Sequence, residues 1–414
     1  MKIFFVFLFA VIFASCSKTD VRLEEWRGPN RSGIYQETNL LKIWPDSGPG
    51  VLWEMNDLGT GYGSPLVLDD RILIMGTRDS IAILFAITLD GQIIYECEVG
   101  SEWVVNFPGS RCTPTVVNDQ VYIMTGKGQL SCIQLKDGQI EWSRNVYSEF
   151  EGEMPRFGYA QSLVVEDNKV YCCPGGETNN VVALDAANGK LIWSCAGKGE
   201  RPGYHPAKLI TVGNRKLFLT FSAYHLLGID AETGELMWAH EQVNTEQDQR
   251  KPGVGDTHAN TVLYEDNIIF YVEGDGNCAV ALALNDDGSS IQQLWNNAVV
   301  DNFMGGILML DHFLYSCNYS ANQLAKIDAK SGAVVESLPV GRGSVIMADD
   351  MLYYYNMSGE VHLIAIDDEK MESISSFKIT KGSHEHFSHP VIHNGVLYVR
   401  HGEYLGAFDI KNQY

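Results

Sequence analysis

The sequence predicts an all-β protein whose strands close into a ring of eight four-stranded blades, a β-propeller. Three observations predict it. One strand-and-turn pattern returns roughly every 40 to 50 residues. Its turns carry Asp and Gly at hairpin spacing and lead into an outer strand that often bears Trp. The strand missing from the C-terminal end of the pattern is present near its start, as VLWEM at residues 51–55.

The clearest copies of the pattern are LDAANGKLIW at 184–193 and IDAETGELMW at 229–238. Weaker copies are TLDGQIIY at 88–95, LKDGQIEW at 135–142, LNDDGSSIQQLW at 284–295 and IDAKSGAVVE at 327–336. The last, IDDEKMESIS at 366–375, has Met371 where the turn glycine belongs. An Asp carboxylate can bond the turn amides, and Gly accepts positive φ without a steric penalty. The outer-strand indole has a large flat surface to bury and one N–H to satisfy. Trp142, Trp193, Trp238 and Trp295 are therefore expected to lie across the next blade, with Tyr95 as the substitute in the first.

Full units begin near Tyr62, Arg111, Tyr159, His205, His258, Met304 and Ser344. An eighth opens at His389-Pro390, runs through VLYVRHG and LGAFDI, and lacks an outer strand. VLWEM has no inner strands of its own and carries Trp53 at the expected position. Pairing it with the last three strands closes the ring and removes an exposed sheet edge.

The first residues predict export. Lys2 precedes an apolar run from Ile3 to Ala14, and Phe13-Ala14-Ser15 then leads to Cys16, a layout that resembles the bacterial lipobox although Phe13 replaces the usual Leu. The organisation expected is a lipoprotein signal peptide at 1–15, a lipid-anchored tether and lead-in at 16–48, and the propeller at 49–414. Ser17 after the lipidation residue Cys16 favours the outer membrane, by resemblance to the sorting of other lipoproteins. The protein is thus expected in the bacterial cell envelope, touching the membrane through its anchor only. A net charge of −22 argues against nucleic-acid partners. Most of the nine cysteines sit in apolar runs and read as small buried hydrophobes.

The repeated Ala-x-Asp-x-x-Thr/Asn-Gly-x-x-x-Trp pattern resembles the tryptophan-docking repeat of quinoprotein-like, or PQQ-like, propellers. That family includes the PQQ-dependent alcohol dehydrogenases and the outer-membrane assembly lipoprotein BamB. WRGPNRSGIY at 26–35 resembles the lead-in of a large group of PQQ-like propeller proteins. The resemblance covers nearly the whole mature chain and implies the fold; function must come from a site. It also implies an alternative in which PQQ and calcium occupy the channel. In the dehydrogenases an adjacent-cysteine disulfide lies against the quinone, and Cys172-Cys173 stands at a strand end on the corresponding face. Adjacent cysteines in a strand point to opposite faces, however, and the calcium shell and catalytic Asp of those enzymes have no match here. No cofactor is therefore expected.

In a four-stranded blade the loops before the inner strands share one face, and they ring the mouth of the central channel. They contribute Tyr62, Arg111, Tyr159, Tyr204, His205, Asp256, His258, His386 and His389, the expected ligand-binding set: aromatic rims with polar anchors on a rigid frame. His384, His386 and His389 lie close in sequence, but their spacing is no established zinc motif, and EGDGN at 273–277 is too short for a dedicated calcium loop. There is no phosphate loop, serine nucleophile elbow, metalloprotease helix or arguable carboxylate pair, so no catalytic residue is assigned. The function expected is a non-catalytic, lipid-anchored binding or scaffold module holding an envelope protein or peptide. The alternatives are a PQQ-dependent dehydrogenase-like quinoprotein and a protein that binds a carbohydrate or another small neutral metabolite.

Overall fold

The blades follow one another as antiparallel meanders because each hairpin turn brings the next strand back beside the last. The computed structural model describes residues 22–274, 278–303, 305–367 and 370–412; the signal segment, Cys16 and Met304 lie outside them. Among the described residues the strands form eight sheets. In blade 3, for example, Val164–Glu166 is the inner strand, followed by Lys169–Cys172, Val181–Asp185 and the outer strand Leu191–Cys195. The eighth sheet is mixed in origin, as expected. Its inner three strands are Val391–His393, Val396–His401 and Tyr404–Asp409, and Gly50–Met55 zips onto the last of them with Val51 opposite Phe408 and Trp53 opposite Ala407.

Apolar clusters fill the junctions between adjacent blades. One joins Leu73 and Leu84 of blade 1 to Val121 and Ile133 of blade 2, and another joins Ile74 and Phe85 of blade 1 to Leu405 of blade 8 across the seam. Each outer-strand ring also reaches the next blade. The indole N–H groups of Trp53, Trp142, Trp193 and Trp295 donate to the carbonyls of Leu89, Ala186, Ala231 and Ala329 at 2.7, 2.9, 3.1 and 2.9 Å. Trp238 donates to Gly288 O at 3.2 Å, and the Tyr95 hydroxyl to Leu135 O at 3.1 Å. Blades 6 and 7 lack this residue and substitute for it. Glu336, at the indole position of blade 6, accepts the Met371 N–H at 2.7 Å. Ser375, at that of blade 7, accepts the N–H of Trp44, whose buried ring packs edge-on against Phe377.

Residues 22–48, from the segment expected to be tether and lead-in, are built into the ring. Inner strands present their free edges to the channel axis, and this segment occupies two of them. Leu23–Glu24 pairs antiparallel with Thr115–Val117 of blade 2, and Ile34–Tyr35 pairs parallel with Gly343–Ala348 of blade 7. Between them the chain turns over at the axis. Arg27 donates to the carbonyls of Ile307 and Val345, both at 2.9 Å. Arg31 donates to Ser162 O and Leu163 O at 2.9 and 2.6 Å and pairs with Glu25 at 2.6 Å. Lys208 reaches in from blade 4 to Asn30 O. The turn holds Arg27, Asn30 and Arg31 at positive φ (64°, 55° and 53°), where non-glycine residues are strained by roughly 1 kcal/mol or more. Arg22 enters at the inner-strand turn of blade 2, accepting the Asn118 N–H, on the face opposite the mouth loops. No helix among the described residues is long and apolar enough to cross a membrane.

Trp193→Ala should cost about 3–5 kcal/mol of unfolding free energy and Trp193→Phe about 1–2, since the first empties a junction and the second mainly strands one carbonyl. Denaturant titration of the two variants checks this order. Gly33 has φ +72°, and a Cβ there would stand 2.0 Å from an Arg27 nitrogen. Gly33→Ala is expected to lower stability by about 2–4 kcal/mol, read in the same titration.

Candidate functional site

The mouth loops converge above the lead-in turn and enclose a cavity of about 540 Å³. Its floor is Trp26, which meets the His389 ring edge-on at 5.0 Å. Its wall is aromatic. Rings follow one another in an arc from Tyr62 to Phe387 (5.4 Å), Phe107 (5.8 Å), Phe157 (5.7 Å) and Tyr204 (5.5 Å). Phe303 and Tyr319, 4.9 Å apart, stand on the wall as a second pair. The lead-in makes this a blind cup, because Trp26 and the turn behind it fill the axis.

Arg111 lines the cup and holds its own loop in shape. Its guanidinium lies 5.8 Å from the Tyr62 ring and donates to the carbonyls of Asn106, Phe107 and Gly109. His389 receives Arg27 Nη1 at 3.0 Å on Nδ1, which fixes that nitrogen as an acceptor and the ring as neutral. Glu102 is buried nearby. Its Oε1 accepts the N–H groups of Trp103 and Gly126, its Oε2 makes no hydrogen bond of good geometry among the described residues, and Ser110 stands close by. Burial pushes this carboxyl up to about 7, against those two bonds and the charge of Arg111.

The model of the family described as outer membrane protein assembly factor BamB, PQQ_2, matches residues 50–338. The chain belongs to this family. The BamB-family propeller is 25% identical over 216 residues to outer membrane protein assembly factor BamB of Moranella endobia, covering 50% of each chain. It is 23% identical over 360 residues to the tetrathionate hydrolase of Acidithiobacillus ferrooxidans, covering 76% of this chain and 67% of that one. The chain spans about half the length of the first BamB relatives it matches. BamB from Moraxella catarrhalis shares the fold, with a TM-score of 0.58 at 12% identity over 85% of this chain and 95% of that one.

Of the residues expected at the mouth of this BamB-family propeller, Tyr62, Arg111, Tyr204 and His389 line the cup. The other five sit elsewhere, each held by a bond that a buried polar group must make. Tyr159 is buried and donates to Pro174 O at 2.7 Å. His205 accepts the Phe221 N–H and presents its ring edge to Phe221, and burial with His258 nearby holds it down at about 3, so it stays neutral. His258 stacks on the same phenyl ring at 4.8 Å and bonds Ala223 O. Asp256 is spent on Arg201, at 3.1 Å, and on the Gly253 N–H. His386 stacks on His401 at 3.6 Å and bonds the Tyr355 hydroxyl; burial and that second imidazole lower it to about 4.

Sequence reasoning passed over Trp26, Phe107, Phe157, Phe303, Tyr319 and Phe387. A signal existed for most of them. Four of the mouth loops carry a Phe, in FPGSRC, PRFGYAQ, NFMGG and HEHFSHP, and the recurrence of Phe at one station outweighs that of His.

The residues present do not fit a calcium-clamped quinone. Turn residues 26–33 fill the axis, and among the described residues no three His, Cys, Asp or Glu side chains converge on one point. Cys172 packs in the junction of blades 2 and 3, whereas Cys173 packs in that of blades 3 and 4 and meets Thr220 Oγ1 at 3.0 Å.

Because the folded pKa of Glu102 is raised above its ordinary value of 4.5, the stability it contributes is complete below that pH and drains as pH climbs through about 7. The unfolding free energy of the wild type should therefore fall relative to Glu102→Gln by about 3 kcal/mol between pH 4.5 and pH 8. Parallel pH profiles for the two proteins would refute it.

Proposed function

We propose that this chain is a non-catalytic binding or scaffold module, tethered through lipid on Cys16 to the outer membrane of a bacterial envelope, which holds an envelope protein or peptide partner at its mouth. The observation that carries the reading is the blind aromatic cup on an axially filled ring: it offers a recessed recognition surface, and among the described residues it brings together no metal-ligand set. Membership of a family described as an outer membrane protein assembly factor supports the envelope setting. The path of the chain supports the tether, since Arg22 enters on the face opposite the cup and a lipid close before it leaves the cup uncovered.

A photo-crosslinking residue at Phe107, on the cup rim, tests this against one at Ile192, on an exposed outer strand. In the full-length protein in native envelopes, the Phe107 position should give discrete envelope-protein adducts that the Ile192 position lacks, and Cys16→Ser should move the protein out of the membrane fraction. Turnover of an alcohol by the purified protein with PQQ and calcium would overturn the reading.

A further inference from the structure

We propose that the cup binds a small amphipathic organic anion, its apolar and preferably flat body against the aromatic wall and its single carboxylate or sulfonate at Arg111. This rests on the mouth being a binding face, and it names the ligand chemistry.

The first support is the charge left over at the cup. Arg111 lines the cavity, and among the described residues its hydrogen bonds go to main-chain carbonyls, using three of the five N–H groups a guanidinium carries. Among the described residues no carboxylate forms an ion pair with it. Two more guanidinium groups stand directly behind the wall in the same condition. Arg27, beneath Trp26, holds carbonyls and His389. Arg400, fully buried, holds the carbonyls of Gly63, Met75 and Gly402, and Gly63 is itself part of the cup lining. Burial lowers Arg27 to about 10 and Arg400 to about 9, which leaves both charged at neutral pH.

The second support is the fate of the nearby acids, in a chain with a net charge of −22. Glu25 is bound to Arg31 and Asp256 to Arg201. Glu385, the carboxylate at the rim, accepts the Tyr62 hydroxyl at 2.8 Å, and burial shifts Glu102 towards its neutral form. The cavity is mainly apolar in lining, and three guanidinium groups stand against the one rim carboxylate of Glu385, so the field at the Arg111 end is positive and low-dielectric walls strengthen it for a ligand which displaces water.

The third support is what the lining withholds from other ligands. A neutral sugar needs several free hydroxyl or amide partners. The lining is mostly aromatic, and its few hydroxyls are partly used: Ser64 Oγ accepts the His389 main-chain N–H and Ser162 Oγ the Thr113 N–H, which leaves the Tyr204 hydroxyl without a partner among the described residues. A cation would meet three guanidinium groups.

The test uses two fluorescent probes of similar shape, anilinonaphthalene sulfonate and its uncharged relative N-phenylnaphthylamine, titrated into the purified full-length protein. The wild type should bind the sulfonate at least tenfold more tightly than the neutral probe. Arg111→Gln should erase that preference, Arg111→Lys should restore part of it, and Phe157→Ala should weaken both probes, with unchanged thermal midpoints showing that the variants fold. Equal affinity for the two probes in the wild type, or a preference that survives Arg111→Gln, would overturn the proposal. Either result alongside Phe107 crosslinks to a partner would leave the mouth a binding face and remove only the anion.

Discussion

Six of the eight blades lean on the next through one aromatic side chain that crosses the junction and donates to a carbonyl there. That contact does two physical jobs at once. The flat ring covers the backbone of the neighbouring turn, where Gly leaves room for it: Gly189 and Gly234 lie under Trp142 and Trp193 so closely that a Cβ would come within 3 Å of the indole. The N–H then satisfies a carbonyl that the turn would otherwise leave to water. A sheet with an apolar face on each side cannot be stable alone, and it gains a partner on both sides only if the series closes. Substitution of the ring by Glu336 in blade 6, and of its place in blade 7 by a Ser375 that receives Trp44, keeps the junctions connected where the indole is missing.

The same logic governs the axis. Eight inner strands leave a channel lined by unpaired backbone, and here the lead-in turn takes up part of it. Arg27 and Arg31 act as multi-donor staples, because a guanidinium can satisfy several carbonyls that diverge around an axis. The strained φ values of the turn are tolerated because strands of blades 2 and 7 clamp its two ends. The floor of the cup is therefore made by a segment from outside the repeats, which is why the cup is blind.

The fold was legible in the sequence because it is written several times over. Repeated copies of Asp, turn Gly and Trp are a periodic signal, and the unmatched VLWEM strand could have only one destination once the last blade was seen to be short. The site was legible only in part. Loop position located the mouth, and four of the residues it named, Tyr62, Arg111, Tyr204 and His389, line one cavity. It could not tell a ring that faces the axis from one that faces the blade: Phe157 and Tyr159 are two residues apart in one loop, yet the first lines the cup and the second is buried with its hydroxyl on Pro174. The role of WRGPNRSG was illegible for a different reason. Its contacts reach blades far away in sequence, and nothing local in the segment announces them.

The seam between Gly50–Met55 and Tyr404–Asp409 carries a consequence for how the molecule comes into being. The Tyr404 hydroxyl donates to Glu54 across 350 positions of chain, so the contact order of the closing step is set by nearly the full length of the polypeptide. During synthesis the early strand emerges with no complement and must wait, flanked by a half-made circle with an open edge, until the last sheet arrives. Assembly is thus slowest at its final stroke, and the nascent chain passes through an interval in which an unpaired β-edge is offered to any neighbour.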